Sequence, residues 1–482
     1  METGLLAYGA YLPVRRMQRA AVANTHAWFN PGLKGLGRGE RTIANWDEDP
    51  VTMAVEAARN CLTGHDRDAL GALWLASTSL PFRDRQNAGV VGDALSLKSA
   101  AMTLDVASSQ RAGTTALMAA LQSGTQALVV ASERRGTKAG SPQEMTYGDG
   151  ATALMVGQGD VVARLIGSHT EAVDFVDHYR GESGEFDYAW EERWVRDEGH
   201  LKITPRAINA LLEATGVEAS SIAHFCYPAA GRGVAAKIAQ ATGLPDTAIA
   251  DNLQGGIGET GAAHPLLMLA KALEGAAPGD RILVASFGQG CDALLFEATD
   301  AITNRPAKSI AAQIEKGRAD DNYARFITLN GLVNVEQGIR AELDKATALS
   351  NHWRNKDMTQ RMVGGHCTAC GTNQFPKARI CVNPECGAVD TQRDEGFSDK
   401  IGKLNSFTAD RLTYSPDPPA YYGMVQFESG GRLMCDFTDI DPDHQPEVGM
   451  AMRMMFRVKD YDRNRGFRRY FWKAMPATQE EL

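Results

Sequence analysis

Short, continuously apolar runs alternate with helix-favouring stretches of small residues from residue 1 to about 298. Ala72-Leu73-Trp74-Leu75-Ala76-Ser77, Ala127-Leu128-Val129-Val130-Ala131-Ser132 and Ile282-Leu283-Val284-Ala285-Ser286 show no apolar/polar alternation. They read as strands covered on both faces. Ala112 to Ser123, Ile208 to Ala214 and Val234 to Thr242 carry helical spacing. Thr204-Pro205 predicts a helix start, a capping hydroxyl followed by a residue that needs no N–H partner. The alternation predicts a layered α/β fold with buried strands.

One pattern occurs twice. Tyr147-Gly148-Asp149-Gly150-Ala151-Thr152-Ala153-Leu154-Met155-Val156 recurs, 140 residues on, as Phe287-Gly288-Gln289-Gly290-Cys291-Asp292-Ala293-Leu294-Leu295-Phe296. Each copy follows a similar strand-like run. A matched strand, aromatic-Gly-x-Gly turn and strand points to an internal duplication. The halves are set at 1–165 and 166–299.

The pattern then changes. Residues 300–360 are charged and helix-favouring (Ala311 to Lys316, Val335 to Ala348), which predicts a helical linker. Residues 361–392 hold a cysteine cluster. Residues 393–482 alternate, as in Tyr422-Gly423-Met424-Val425-Gln426-Phe427, Arg432-Leu433-Met434-Cys435-Asp436-Phe437 and Met452 to Val458, with turn residues between, as in a small β-barrel.

Length and charge narrow the class. A chain of 482 residues has room for two or three domains, and a net charge of −9 without a Lys/Arg run argues against nucleic acid as a partner. Met1 to Arg15 lacks the pattern of a secretory leader, and no uncharged apolar stretch of about 18 residues reads as a membrane span. A cytoplasmic location is expected.

Of eight cysteines, four lie between 367 and 386. Cys367-x2-Cys370, a ten-residue gap and Cys381-x4-Cys386 give the spacing of a zinc ribbon, with Gly371 and Gly387 closing each knuckle. Four thiolates fill a tetrahedral shell and leave no open position, so the expected role of the Zn2+ is structural. His366 is available as an extra ligand but is not needed.

With these motifs in hand, residues 3–298 resemble the thiolase superfamily, on the branch of ketoacyl-ACP synthase III and hydroxymethylglutaryl-CoA synthase. The resemblance rests on the repeated Gly-x-Gly element, on Leu104 to Gly113 and on Gly258-Glu259-Thr260-Gly261-Ala262-Ala263. The third segment resembles the zinc-ribbon plus OB-fold family called domain of unknown function 35. Its matching pieces are the four cysteines, Gln374-Phe375-Pro376 and the β-rich tail. The resemblance implies a duplicated five-layered α/β fold, a helical linker, a zinc ribbon and an OB-type barrel. It also implies acyl-CoA as substrate or ligand, and a homodimer or a heteromer with a thiolase-type enzyme.

The family's nucleophilic Cys, His and Asn do not carry over. Their positions fall on Gln110, on Pro228 in Phe225 to Gly231, and on Glu259, and no cysteine stands between 62 and 225. A glutamine amide hydrogen-bonds but forms no acyl intermediate. Ketosynthase-like proteins with Gln here either decarboxylate malonyl groups or are inactive halves of heterodimers. Pro228 removes the expected imidazole, and an ionised Glu259 repels a malonyl carboxylate, which favours the inactive-partner reading.

Polar neighbours keep a catalytic reading open. A Glu259–His264 acid/base pair, or Tyr227 as an acid, would support retro-aldol cleavage without a covalent thioester. His224, Cys226 and Cys291 are further residues that could face the pocket. Ser108 and Ser109 read as helix N-caps. Arg38, Arg41 and Arg111 are the candidates for CoA phosphates. The alternatives are thus a substrate-holding subunit of a thiolase or acyltransferase complex, a self-sufficient acyl-CoA acyltransferase, decarboxylase or retro-aldolase, and a CoA-thioester-binding regulatory protein.

Overall fold

The computed structural model describes residues 2–229, 231–303 and 309–478; Ala230 in the segment matched to the family's histidine, positions 304–308 of the expected linker and the last four residues lie outside them. Two compact units result. The first comprises Met1–Ala44, Asp49–Gly92 and Leu97–Ile327, the second Asn45–Glu48, Asp93–Ser96 and Thr328–Leu482.

The first unit is built on nine strands: β1 (Glu2–Tyr11), β2 (Ala72–Ala76), β3 (Met102–Val106), β4 (Ala127–Glu133), β5 (Gly150–Gly159), β6 (Ala163–Ala172), β7 (Ile222–Cys226), β8 (Arg281–Phe287) and β9 (Gly290–Ala298). They form one mixed sheet in the order β7-β8-β9-β6-β1-β5-β4-β2-β3. The apolar runs became its buried strands: every residue of β2 and β4 is buried.

The duplication is visible in the pairing. β4 runs antiparallel to β5 and parallel to β2, and β8 runs antiparallel to β9 and parallel to β7. The β2–β3 pair has a reduced counterpart, a single parallel bridge from Phe225 to Ile249.

Five helices matter for the site: α1 (Pro50–Cys61), α2 (Ala112–Gln122), α3 (Leu201–Thr215), α4 (Val234–Thr242) and α5 (His264–Gly275). A reciprocal capping box, Asp49 with Thr52, and Pro50 in the first turn start α1. α2 and α5 pack on each other and on strands of both halves, so they form the middle layer, while α1 covers β1 and β5 and α3 covers β6 and β9. Gly113 makes this layer possible, because a Cβ there would stand 2.2 Å from the Ala262 carbonyl oxygen.

Several expectations are corrected. Pro205 lies inside α3, which begins at Leu201 after a π turn over Val195–His200. The wider turn absorbs the offset that a proline ring imposes on the preceding backbone. Thr204 therefore does not cap; its hydroxyl bonds the Tyr227 hydroxyl at 3.0 Å. The expected linker divides at Ile327. Arg318–Asp320 pairs in parallel with Arg15–Arg16–Met17, which ties this stretch into the first unit. Val335 to Ala348 forms only a single 3₁₀ turn, Ile339–Ala341, because Gly338 takes φ +74° and Ile339 is 81% exposed, leaving no apolar face to bury.

The second unit contains a three-stranded ribbon, β10 (Val363–Cys367), β11 (Asn373–Gln374) and β12 (Gln392–Gly396), so the ribbon extends beyond residue 392. A five-stranded sheet follows: β13 (Gly402–Asp410), β14 (Ala420–Phe427), β15 (Arg432–Asp436), β16 (Ala451–Asp462) and β17 (Phe467–Pro476), in the order β15-β14-β13-β16-β17. A parallel bridge from Phe437 to Ala474 returns the end strand to β17 and closes a barrel over Leu404, Val425, Phe427, Phe456 and Trp472. Among the described residues, no helix is long and apolar enough to cross a membrane.

Candidate functional site

The two Gly-x-Gly turns brace the approaches to α2 and α5 crosswise. In the first half, Gly148 N–H donates to the Glu259 carbonyl at 2.9 Å, and Tyr147 bridges Glu259. In the second half, the Gly288 carbonyl accepts from Ser109 Oγ at 2.8 Å and Arg111 Nε at 3.0 Å. Each repeat thus holds the segment leading into the other half's central helix. Gln110 and Glu259, which stand on those segments, are brought to one place.

Arg135, two residues past the end of β4, joins them. It pairs with Glu259, lies over the Tyr147 ring at 3.6 Å, and has a side chain only 2% exposed. Glu259 also accepts from Gly261 N–H at 2.7 Å. Burial alone would raise the Glu259 pKa, but the Arg135 charge holds it below the ordinary carboxylate range. Burial opposes the Arg135 charge as well; Glu259, Tyr147, Glu133 and Asp187 more than offset this and hold the guanidinium protonated. Glu133, beneath it, accepts from the Thr78 and Ser79 hydroxyls at 3.1 and 2.9 Å, and burial raises its pKa.

Two residues that sequence reasoning missed complete the cluster. Asp177 precedes, and His178 begins, a short ladder between β6 and α3, His178–Tyr179 against Tyr188–Ala189. Asp177 Oδ2 lies 2.7 Å from His178 Nδ1, and His178 Nε2 lies 3.2 Å from Gln110 Nε2. Burial lowers the His178 pKa, but the bond to Asp177 raises it further, to a net increase. The one readable signal was the charge just past a buried strand, in Glu133-Arg134-Arg135.

Other expected residues lie elsewhere. His264 is fully buried; Nδ1 accepts from Thr260 N–H at 2.9 Å and Nε2–H donates to the Asn252 carbonyl at 2.7 Å. That satisfies both ring nitrogens in the neutral state, so His264 holds backbone while Glu259 serves Arg135. Tyr227 sits in the core of the second half, 2.6 Å from His200 Nδ1, and burial raises its pKa. Pro228 follows Tyr227 two residues past the end of β7 at Cys226. His224 faces Asp280 at 3.5 Å. Ser108 and Ser109 do not cap α2, whose N-cap is Arg111; Ser109 Oγ instead accepts from Arg111 N–H at 3.2 Å, within a local turn. Burial pushes the thiols of Cys61, Cys226 and Cys291, the three in this unit, up to about 12.

The arginines separate too. Arg111 is committed to Asp292 at 2.8 Å and to Gly288. Arg41 is buried, donates to the Tyr147 carbonyl at 3.2 Å, and burial lowers its pKa. Arg38 is exposed.

In the ribbon, the Sγ atoms of Cys367, Cys370, Cys381 and Cys386 lie within 4.8 Å of one another. Cys367 and Cys386 are 3.9 Å apart, Cys370 and Cys381 3.6 Å. Zn–S bonds of about 2.3 Å in a tetrahedron require S–S edges of about 3.8 Å, so these thiols fit a Zn2+ ion. Asn373 engages His366 Nδ1 at 2.6 Å.

Residues 212–296 match the model of the 3-oxoacyl-[acyl-carrier-protein] synthase III C-terminal family, and residues 397–457 match the ChsH2 C-terminal OB-fold domain. The chain is 27% identical to a hydroxymethylglutaryl-CoA synthase of Caldivirga maquilingensis, over 70% of this chain and 100% of that protein. It is 29% identical to the Aeropyrum pernix enzyme, over 70% and 96%. Among solved structures, an HMG-CoA synthase complexed with CoA superposes with a TM-score of 0.60 at 18% identity, covering 70% of this chain and 93% of that one. The 3-oxoacyl-[acyl-carrier-protein] synthase III of Aquifex aeolicus gives 0.53 at 20% identity, covering 61% and 99%.

Proposed function

Because this chain belongs to the thiolase-like superfamily and ends in an OB-fold domain, we propose that it binds an acyl-CoA without forming an acyl-enzyme, as the substrate-holding subunit of a thiolase or acyltransferase complex. One observation carries the reading: Gln110, not cysteine, leads into α2, and each thiol of the first unit is buried and pushed up to about 12. A protonated, enclosed thiol is not a nucleophile. CoA as the ligand is supported by the CoA complex of a structural relative with the same fold. Assembly is supported by β3, an end strand of the sheet on which Met102 and Leu104 are 56% and 41% exposed. An uncovered apolar strand edge favours pairing with a second chain.

The test is mass spectrometry of tagged protein purified from its host. The native spectrum is expected to show a heteromer containing a cysteine-bearing thiolase. The denatured spectrum after incubation with acetyl-CoA is expected to show no acyl adduct on this chain, while calorimetry registers CoA binding. An adduct on this chain, or no CoA binding, rejects the reading.

A further inference from the structure

Three buried polar atoms around Gln110 have no protein partner: Gln110 Oε1, Arg135 Nε and Asp177 Oδ1. An ideal Cβ on Gly261 would stand 3.0 Å from Gln110 Oε1 and 3.1 Å from Arg135 Nε, so an unmet acceptor and an unmet donor flank the same glycine. Leaving such groups unpaired is costly, and a bound polar molecule recovers that cost. Their positions also orient the amide. With Oε1 toward the Arg135 side, the Gln110 N–H points at His178 Nε2, whereas a flipped amide would set its NH2 against a second donor. His178 Nε2 is then an acceptor, and its Nδ1–H is held by Asp177 at 2.7 Å. The imidazole is thus oriented by a carboxylate on Nδ1 and accepts the Gln110 N–H on Nε2, the atom that a substrate proton would reach once that amide moves aside.

We propose that His178, oriented by Asp177, is a catalytic base that removes a proton from Cα of a bound acyl-CoA, while Arg135 Nε–H receives the negative charge that develops on the thioester oxygen. The proposal rests on the reading above that this chain holds an acyl-CoA. The Cα–H bond breaks, its proton goes to Nε2, the bonding pair forms the C=C bond of the enolate, and the carbonyl π pair moves to oxygen. The thioester C–S bond stays intact, and return of a proton from the imidazolium restores the substrate. No nucleophile, oxidant or co-substrate is required, in keeping with Gln110. The substrate Cα takes the position that the Gln110 amide holds on Nε2. The imidazole that Pro228 removes from just past the end of β7 is thus supplied from a different connection, the β6–α3 loop.

The experiment is deuterium exchange at C2 of acetyl-CoA and of butyryl-CoA in D2O, followed by NMR, with the full-length protein and calorimetric CoA binding on the same samples. Wild-type protein is expected to raise exchange at least tenfold above the protein-free rate. His178→Asn and His178→Gln are expected to lose about 100-fold of the enhancement, in the range of general-base contributions, with CoA binding unchanged. Asp177→Asn is expected to lose about tenfold, as loss of an orienting partner does. Binding without exchange in the wild type overturns this inference and leaves the holding function intact, as does exchange that both His178 variants retain. Failure of the wild type to bind CoA overturns both.

Discussion

The Arg135 guanidinium lies 3.6 Å from the centre of the Tyr147 ring and pairs with the Glu259 carboxylate. Tyr147 begins the first repeat, and Glu259 occupies the position where the family's asparagine is expected. The carboxylate there is one half of an ion pair with a buried guanidinium. Tyr147 extends the network by donating to Asp187 at 3.2 Å, and Arg180 holds Asp187 at 2.8 Å.

Replacing Glu259 by Gln leaves the Arg135 charge buried with one carboxylate fewer. Breaking such a pair costs about 3–5 kcal/mol, and Glu133 and Asp187 place this case at about 3 kcal/mol. Arg135→Met in the same background is expected to recover part of the loss. Urea unfolding of the two single variants and the double variant checks the coupling, and strictly additive losses would contradict it.

His200 gives the first unit a sensitivity to acid. Its ring lies 4.3 Å from the Phe287 ring, Nδ1 accepts from Tyr227, and burial lowers its pKa to about 4. The unfolded chain takes up this proton near pH 6.5, the folded one only near 4. Stability is therefore full above about pH 6.5 and falls as the pH drops toward 4, by about 2 kcal/mol at pH 5. His200→Phe is expected to remove that share of the loss. Urea midpoints at pH 7.5 and 5 measure it; an identical decline in wild type and variant would refute the assignment.

The main strands were legible because both faces are buried: Ala127–Glu133 and Arg281–Phe287 have few polar residues to confuse the pattern. The repeat was legible because its glycines are required by close approach; a Cβ on Gly148 would stand 1.9 Å from the Ile257 carbonyl oxygen. Local signals misled where distant contacts decide. Thr204-Pro205 has the composition of a helix start, but a π turn upstream continues the helix. Ser109 has the composition of a cap, but it serves Gly288, far along the chain. Asp177 and His178 were not legible, because they reach Gln110 only through the ladder with Tyr188–Ala189. The metal ligands were legible for the opposite reason, since all four lie within twenty residues.

The ribbon is expected to bind one Zn2+ per chain through Cys367, Cys370, Cys381 and Cys386. Gly371 and Gly387 take φ +76° and +55°, and the Gly371 N–H closes the first knuckle on the Cys367 carbonyl at 2.8 Å. The ribbon has few apolar residues to bury: Ile380, Val382 and Val389 are each more than half exposed. Metal coordination must therefore supply most of its folding energy, and structural zinc sites contribute about 10–16 kcal/mol. Cys370→Ser or Cys386→Ser is expected to lose the metal and to open residues 361–396 to protease, while the first unit, with its own core, keeps its melting transition. Elemental analysis with limited proteolysis measures this. A cysteine variant that is free of zinc yet as protease-resistant as the wild type would show that the ribbon stands without the ion.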